Sequence, residues 1–260
     1  MKEKQRVWSR DETIVAFNLY CKIPFAQTTK NNPLIIQFAN IVGRTPSAMS
    51  MKIGNLGRLD PALKERGISG LANGSKLDEE IWNEFNEDWN RLSFESERIV
   101  ASLKGNPIEI LVDDSSHDES LTLPEGLNKE RAVKVRINQA FFRSAVLSAY
   151  GGKCCITGLS VPQLLVASHI IPWSRNEDTR TDPRNGLLLN SIHDKAFDTG
   201  LITITEDYII RVSPHLYESL PDRIVKEWFV DIDGRAIDLP DKFLPSKQYL
   251  KWHNDNVFKS

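Results

Sequence analysis

Residues 103–126, LKGNPIEILVDDSSHDESLTLPEG, break the chain with an acidic stretch of Ser, Gly and Pro that has little hydrophobic periodicity. Such a stretch reads as a linker, so the chain cannot be a single run of one secondary-structure class. Before it, apolar residues recur at helical spacing; after it, short apolar runs of strand length alternate with helical ones. The expected fold class is α+β in two parts. Residues 1–103 form an all-α domain, 104–128 an acidic linker, and 129–260 a mixed domain. His117 falls in the linker and reads as a solvated loop residue.

In the first part, DETIVAFNLYCKI has helical spacing with Asp11 placed to cap it. PLIIQFANIVG reads as a second helix, started by Pro33 and stopped by Gly43. RTPSAMSMKIGNL then starts a third, with Thr45 as N-cap and Pro46 in the first turn. Helix, glycine turn and capped helix make a helix-turn-helix outline. The last helix of such a unit can enter a DNA groove, which makes Ser47, Ser50, Lys52 and Asn55 candidate contacts. The same outline also occurs in all-α domains that touch no nucleic acid. Charge favours the DNA reading: Met1 to Arg58 carries nine Lys/Arg against three Asp/Glu. Asp78 to Leu103 reads as one long helix, with Ile81, Trp82, Phe85, Trp89 and Leu92 three and four apart as a core stripe. Its eight acids between Asp78 and Arg98 form a solvated face.

Other classes drop out quickly. No apolar run approaches the roughly 18 residues of a membrane helix, and MKEKQRVWSRDE lacks the apolar core of a secretory signal. Three cysteines make no disulfide framework. The expected setting is cytoplasmic, with no membrane partner. The net charge of −2 decides nothing about nucleic acid.

In the second part, VRINQAFFRSAVLSAY has helical spacing and stops at Gly151-Gly152. CCITGLSVPQLLVASHIIPWS reads as a β-hairpin with a Gly/Ser/Pro turn. GLLLNSIHDKAFD reads as a strand leading into a helix, and GLITITEDYIIRVS as a second hairpin. Three residues stand out: His169 at a strand end, Asn185 before the next strand, and His193 on the following helix. Phosphodiester hydrolysis needs a base that works near neutral pH, for which histidine is suited. It also needs a divalent cation at the phosphate and a group that orients the base. His169 is the candidate base, Asn185 the orienting residue and His193 the metal ligand. Each has a plainer reading: His169 as a hydrogen-bonded core residue, and Asn185 as the turn residue that Asn-Gly favours. Arg143 and Gln139 are surface or ion-pair residues or contacts to a substrate phosphate. His215 and His253 read as structural or surface residues.

The run ITGL…VASHIIPWS…DPRNGLLLNSIHDKAFDTGLI resembles the HNH, or ββα-metal, endonuclease motif. It is most similar to a bacterial restriction-type subfamily with ITG, AHI-P, NGLLL and H-x-x-FD-x-G submotifs. RINQAFFRSAVLSAYGGKCCITG resembles that family's lead-in and LPDKFLPSKQYLKWHNDNVF its tail, so the likeness covers residues 133 to 259. It implies a C-terminal ββα-metal nuclease domain that cuts double-stranded DNA with Mg²⁺, Mn²⁺ or another divalent ion, in a restriction or defence setting. Two departures stand out. Ser168 occupies the position before the catalytic histidine where many relatives carry Asp or His as a ligand. A hydroxyl is a poor ligand for a hard ion without carboxylates, so Asp198, a backbone oxygen or water is expected to help. Asp198 has a second reading as a hydrogen bonder at its turn. The second departure is the absence of CxxC pairs, which excludes a four-cysteine zinc site and leaves Cys155 as a small buried hydrophobe.

The expectation is a metal-dependent DNA endonuclease. A single site cuts one strand, so a homodimer is expected for double-strand cleavage. Two rivals stand beside it: a DNA-binding protein with a degenerate nuclease domain, and a nuclease effector whose N-terminal domain senses a ligand or partner.

Overall fold

The structure is a computed structural model that describes residues 6–68, 74–108 and 129–260. Most of the expected linker, with His117, lies outside the described residues. The chain packs as two compact units, Met1–Ala145 and Val146–Ser260. Among the described residues no helix is long and apolar enough to cross a membrane.

The first unit is helical and is built around α1 (Arg10–Lys22). Every residue from Glu12 to Cys21 is buried, so this helix is a core element enclosed on all sides rather than an amphipathic surface helix. Its cap is Ser9 and not Asp11. The Ser9 hydroxyl accepts from the Glu12 amide while the Glu12 carboxylate accepts from the Ser9 amide, a reciprocal arrangement that satisfies two otherwise orphan donors. Asp11 sits in the first turn, where its charge suits the helix dipole. α2 (Pro33–Ile41) and α3 (Pro46–Gly57) follow, joined through Gly43 at φ +66°. Thr45 caps α3 through its hydroxyl and Pro46 opens it, as the sequence predicts. A short α4 (Pro61–Glu65) comes next.

The expected long helix from Asp78 is two helices, α5 (Lys76–Phe85) and α6 (Trp89–Lys104). The break has a local cause. Asp88 leaves helical geometry at φ −134° and its carboxylate caps the Arg91 amide, restarting the helix. The aromatic stripe is core on both sides of the break. Trp82 stacks on Phe17 at 4.9 Å between ring centres, and Trp89 meets Phe17 edge-on at 5.9 Å. α7 (Lys129–Ala149) belongs to this unit as far as Ala145. There the Asn138 amide bridges Ser93 at 2.6 Å and Asn90 at 2.9 Å.

In the second unit the expected hairpin of CCITG with LLVASH is replaced by a different pairing. β1 (Leu165–His169) pairs antiparallel with β2 (Gly186–Asn190), so that Ser168 faces Leu187 and His169 faces Gly186. CCITG is a tight loop instead. The Cys154 amide donates to the Leu159 carbonyl and Gly158 takes φ +71°, which curls the segment back before a strand can form. The Cys155 amide reaches the sheet at the Leu188 carbonyl. Cys155 itself is buried, as expected for a small hydrophobe. α8 (Ser191–Asp198) leaves β2 directly. β3 (Ile202–Ile204) and β4 (Ile210–Val212) form the second hairpin, as predicted. α9 (Pro214–Tyr217), α10 (Arg223–Trp228) and α11 (Lys247–Asn256) complete the unit.

α11 locks the end of α8 through His253. The buried imidazole stacks on Phe197 at 3.7 Å, its Nε2 lies 3.1 Å from the Phe197 carbonyl oxygen, and its Nδ1 lies 2.8 Å from the Thr203 hydroxyl. Burial pushes this ring down to about 4, against roughly 6.5 in an unfolded chain. Between those values the unfolded chain binds the extra proton. The stability owed to the neutral ring is therefore complete above pH 6.5 and lost as pH falls through 4. At pH 5 the loss is about 2 kcal/mol. His253→Gln, which cannot titrate, is expected to lose less stability between pH 7 and pH 5 than the native chain, by about that amount. Urea unfolding at the two pH values measures it, and equal losses would mean that the ring is charged in the fold.

Candidate functional site

The two strands β1 and β2 are joined by a 16-residue excursion, Ile170 to Asn185, and Asn185 closes it. The residue is fully buried. Its Oδ1 accepts from the Ile171 amide at 2.8 Å. Its Nδ2 donates to the Ile171 carbonyl at 3.0 Å and to the Thr179 carbonyl at 3.2 Å. One carboxamide thus ties the outgoing limb of the loop to the returning one. The plain reading of Asn185 as a turn residue is also correct, since it ends the short 3-10 turn Pro183–Asn185 that Asp182 caps.

That cross-brace fixes His169 at one remove. Thr179 precedes Arg180, and the Arg180 carbonyl oxygen lies 3.0 Å from His169 Nε2. A carbonyl can only accept, so Nε2 carries the proton and the lone pair of the neutral ring stands on Nδ1. The loop braces the ring on a second side. Trp173 meets it edge-on at 5.6 Å, and Arg180 lies over Trp173 at 5.1 Å while its Nε donates to the Trp173 carbonyl. Desolvation pushes the ring pKa down to about 4, so it is uncharged at neutral pH and able to accept a proton.

α8 packs on β1 and β2 and presents two different faces. His193, Ala196 and Phe197 are buried. Asp194 and Asp198, one turn apart, look outward along the other side. The Asp194 carboxyl lies beside the Ser168 side chain. The Ser168 hydroxyl is buried and makes no hydrogen bond of normal geometry. Partial desolvation, then the nearby Asp194 charge, raises Asp198 to about 6, and partial desolvation raises Asp194 as well. Two carboxylates one turn apart, one of them beside a buried hydroxyl, form a cation-seeking arrangement. Among the described residues no three His, Cys, Asp or Glu side chains converge enough to enclose a metal by themselves. The donor set nevertheless suits Mg²⁺, which takes one or two carboxylates and fills its other positions with water and phosphate oxygens.

His193 is placed differently from the expected metal ligand. Its ring is fully buried, its Nδ1 lies 2.9 Å from Asn190 Nδ2 and its Nε2 lies 2.9 Å from the Trp228 carbonyl oxygen. An amide nitrogen can only donate and a carbonyl can only accept, so both ring nitrogens are engaged and neither is offered to a metal. Its neighbour Asp194 is the residue that sequence reasoning missed. The available signal was the Asp194–Asp198 spacing of four on a helix whose alternate face is apolar. The other expected ligand, Asp198, is exposed on the same face as Asp194.

In the first unit the candidate DNA contacts are scattered in environment. Ser47 is exposed. Ser50 donates to the Thr28 carbonyl at 3.0 Å. Lys52 is not presented to solvent: its ammonium is buried against the Asp78 carboxylate and lies over the Trp8 ring at 4.8 Å. Its charge is neutralised within the fold. Asn55 is half-buried, and its Oδ1 has no partner where it lines a cavity of about 380 Å³. Arg143 is half-buried on α7, and the Oε1 of Gln139 on the same helix is buried without a partner.

A protein-family model described as HNH endonuclease matches residues 154–205, which contain Ser168, His169, Asn185, His193, Asp194 and Asp198. Comparison with curated proteins gives no match. The match supports a nuclease domain in the second unit.

Asn185→Ala leaves the Ile171 amide and two loop carbonyls without their partner, a cost of about 3 kcal/mol. It also opens the loop to water, which relieves the desolvation that holds the His169 ring down. The expected result is a lower unfolding midpoint, together with a His169 ring pKa that climbs from about 4 towards the ordinary histidine value. NMR titration of the His169 ring reads the second effect, and an unmoved pKa would show that Asn185 does not hold the ring's environment.

Proposed function

We propose that the second unit is a phosphodiester hydrolase acting on DNA, with His169 as general base. The observation that carries this reading is the His169 ring itself. It is neutral, it is locked as the Nε2–H tautomer by the Arg180 carbonyl, and it is next in the chain to Ser168, which faces the Asp194 carboxylate. His169 Nδ1 takes the proton from an attacking water. The Nε2–H bond to Arg180 keeps the ring from turning and stabilises the charge that the ring gains. Asn185 is a positioning residue that acts through the Ile171–Thr179 brace. Asp194 and Asp198 are the residues that would hold Mg²⁺ or Mn²⁺, with the Ser168 hydroxyl beside them, in place of His193. A bound divalent ion would stabilise the charge developing on the phosphate and on the leaving oxygen.

The helical unit supplies DNA contact in this reading. Ser47 on the exposed start of α3 and Asn55 nearer its end are the contacts kept from the expected set. Lys52 supports the helix from below through Asp78. Double-stranded DNA is the proposed substrate, a homodimer the proposed form for cutting both strands, and restriction of foreign DNA the proposed role. A second reading has its own observation. The absence, among the described residues, of three convergent metal-ligating side chains favours a DNA-binding protein whose nuclease unit is inert.

A supercoiled-plasmid assay separates the two. The nuclease reading expects nicking in Mg²⁺ or Mn²⁺ and none in EDTA, on plain or cytosine-modified DNA. His169→Ala is expected to slow it by about 10²–10⁴-fold, the usual contribution of a general base. Asp194→Asn is expected to raise the Mg²⁺ concentration needed for half-maximal rate by at least about tenfold, since it removes one of two charged donors. DNA retained without cleavage of either substrate would establish the binding protein instead.

A further inference from the structure

At the root of α8 lies a buried polar knot that the reaction does not use. Asn190 ends β2 and caps α8: its Oδ1 accepts from the Ile192 amide at 3.1 Å and the His193 amide at 2.9 Å. Its other amide atom, Nδ2, faces three acceptors. His193 Nδ1 lies 2.9 Å away, Thr157 Oγ1 3.4 Å and Cys154 Sγ 3.8 Å. The Asn190 backbone amide adds a contact of 3.3 Å to the same sulfur. Cys154 and His193 are completely buried and Asn190 nearly so. The far nitrogen of His193 is pinned to the Trp228 carbonyl. Burial raises the Cys154 thiol, but the polar contacts around it bring it down to about 7.

A soft sulfur, a hydroxyl and an imidazole nitrogen aimed at one point would ordinarily surround a cation. Here the point holds an NH₂ group, whose hydrogens carry partial positive charge. We propose that the Asn190 amide stands in for a cation at this point, and that the resulting metal-free knot is the positioning device that sets the roll of α8. Asp194 follows His193 directly and Asp198 lies one turn on, so the knot decides where both carboxylates point. The importance of that direction rests on the nuclease reading above; the stand-in itself does not.

The test exchanges the donor for an acceptor. Asn190→Asp keeps the shape and the Oδ1 cap but places a carboxylate among Cys154, Thr157 and His193. Without metal it is expected to melt below the native chain. One equivalent of Zn²⁺ should raise its Tm, because the ion binds only the folded state, and Co²⁺ should give a thiolate charge-transfer band. The native chain should carry no zinc after purification and should keep its Tm in Zn²⁺ and in chelator. Asn190→Ser keeps a short cap oxygen and removes the nitrogen, which provides a second variant should the first not fold. It is expected to bind Co²⁺ more weakly, with the band lost when Cys154→Ala is added. Zinc in stoichiometric amount in the native chain, or no Co²⁺ band in either variant, would overturn the stand-in.

Plasmid nicking by metal-free Asn190→Asp reads the positioning role. A rise in the half-saturating Mg²⁺ concentration is expected, restored in part by Zn²⁺ at the knot, and an unchanged Mg²⁺ response in the folded variant would refute positioning. If the native chain nicks no DNA the nuclease reading fails, while the zinc and cobalt results still decide the stand-in.

Discussion

The candidate site depends on a single carboxamide. Asn185 grips both limbs of the β1–β2 excursion from inside, and the Arg180 and Trp173 contacts that brace His169 lie on that loop. The energetic logic is that of a buried polar group with all its partners present. Each of the three bonds is ordinary, but none of the groups involved can reach water. Losing the amide orphans them together, so the loop has one low-energy arrangement rather than several. The tautomer of the base is therefore a property of the loop and not of the histidine.

Around this, the second unit sorts polar residues by task. The face of α8 that meets the sheet carries His193, whose nitrogens are spent on structure. The outward face carries Asp194 and Asp198, whose charges are left in tension with each other. Adjacent residues in the sequence thus have opposite fates, decided by the 100° step of the helix. Two other stacked or capped contacts, His253 on Phe197 and Asn190 at the first turn, hold the short helix at its two ends, which eight residues could not do by propensity alone.

Much of this was legible in the sequence, and what was not has physical reasons. Thr45 with Pro46 announced α3, the β2–α8 passage was visible in GLLLNSIHDKAFD, and the second hairpin in its two apolar runs. His169 and Asn185 stood out as polar residues bounding apolar strands. CCITG was misread as a strand because its apolar content is right; what bends it is Gly158 and a non-local bond from Cys155 to β2, which no local pattern reports. The long helix from Asp78 was misread because the apolar stripe keeps its phase across Asp88. Side-chain chemistry alone makes His193 a candidate ligand. Its orientation follows from Asn190 and Trp228, the latter 35 residues away, and a residue type cannot say which way it faces. Ser9 replaced Asp11 as a cap for the same kind of reason, two candidates being separated by two positions.

The excursion between β1 and β2 has a further consequence. Its two limbs are clamped at Ile171, Thr179 and Arg180, but Ser174 to Asp178 at its tip are exposed. Glu177 at the tip pairs with the Arg180 side chain, while the Arg180 carbonyl that holds the imidazole lies in the stem. Exposed tips of this kind tolerate changes of length and composition better than the stems that carry them. The loop is divided into a fixed stem that belongs to chemistry and a variable tip on which new surface preferences can be tried without loss of the reactive centre.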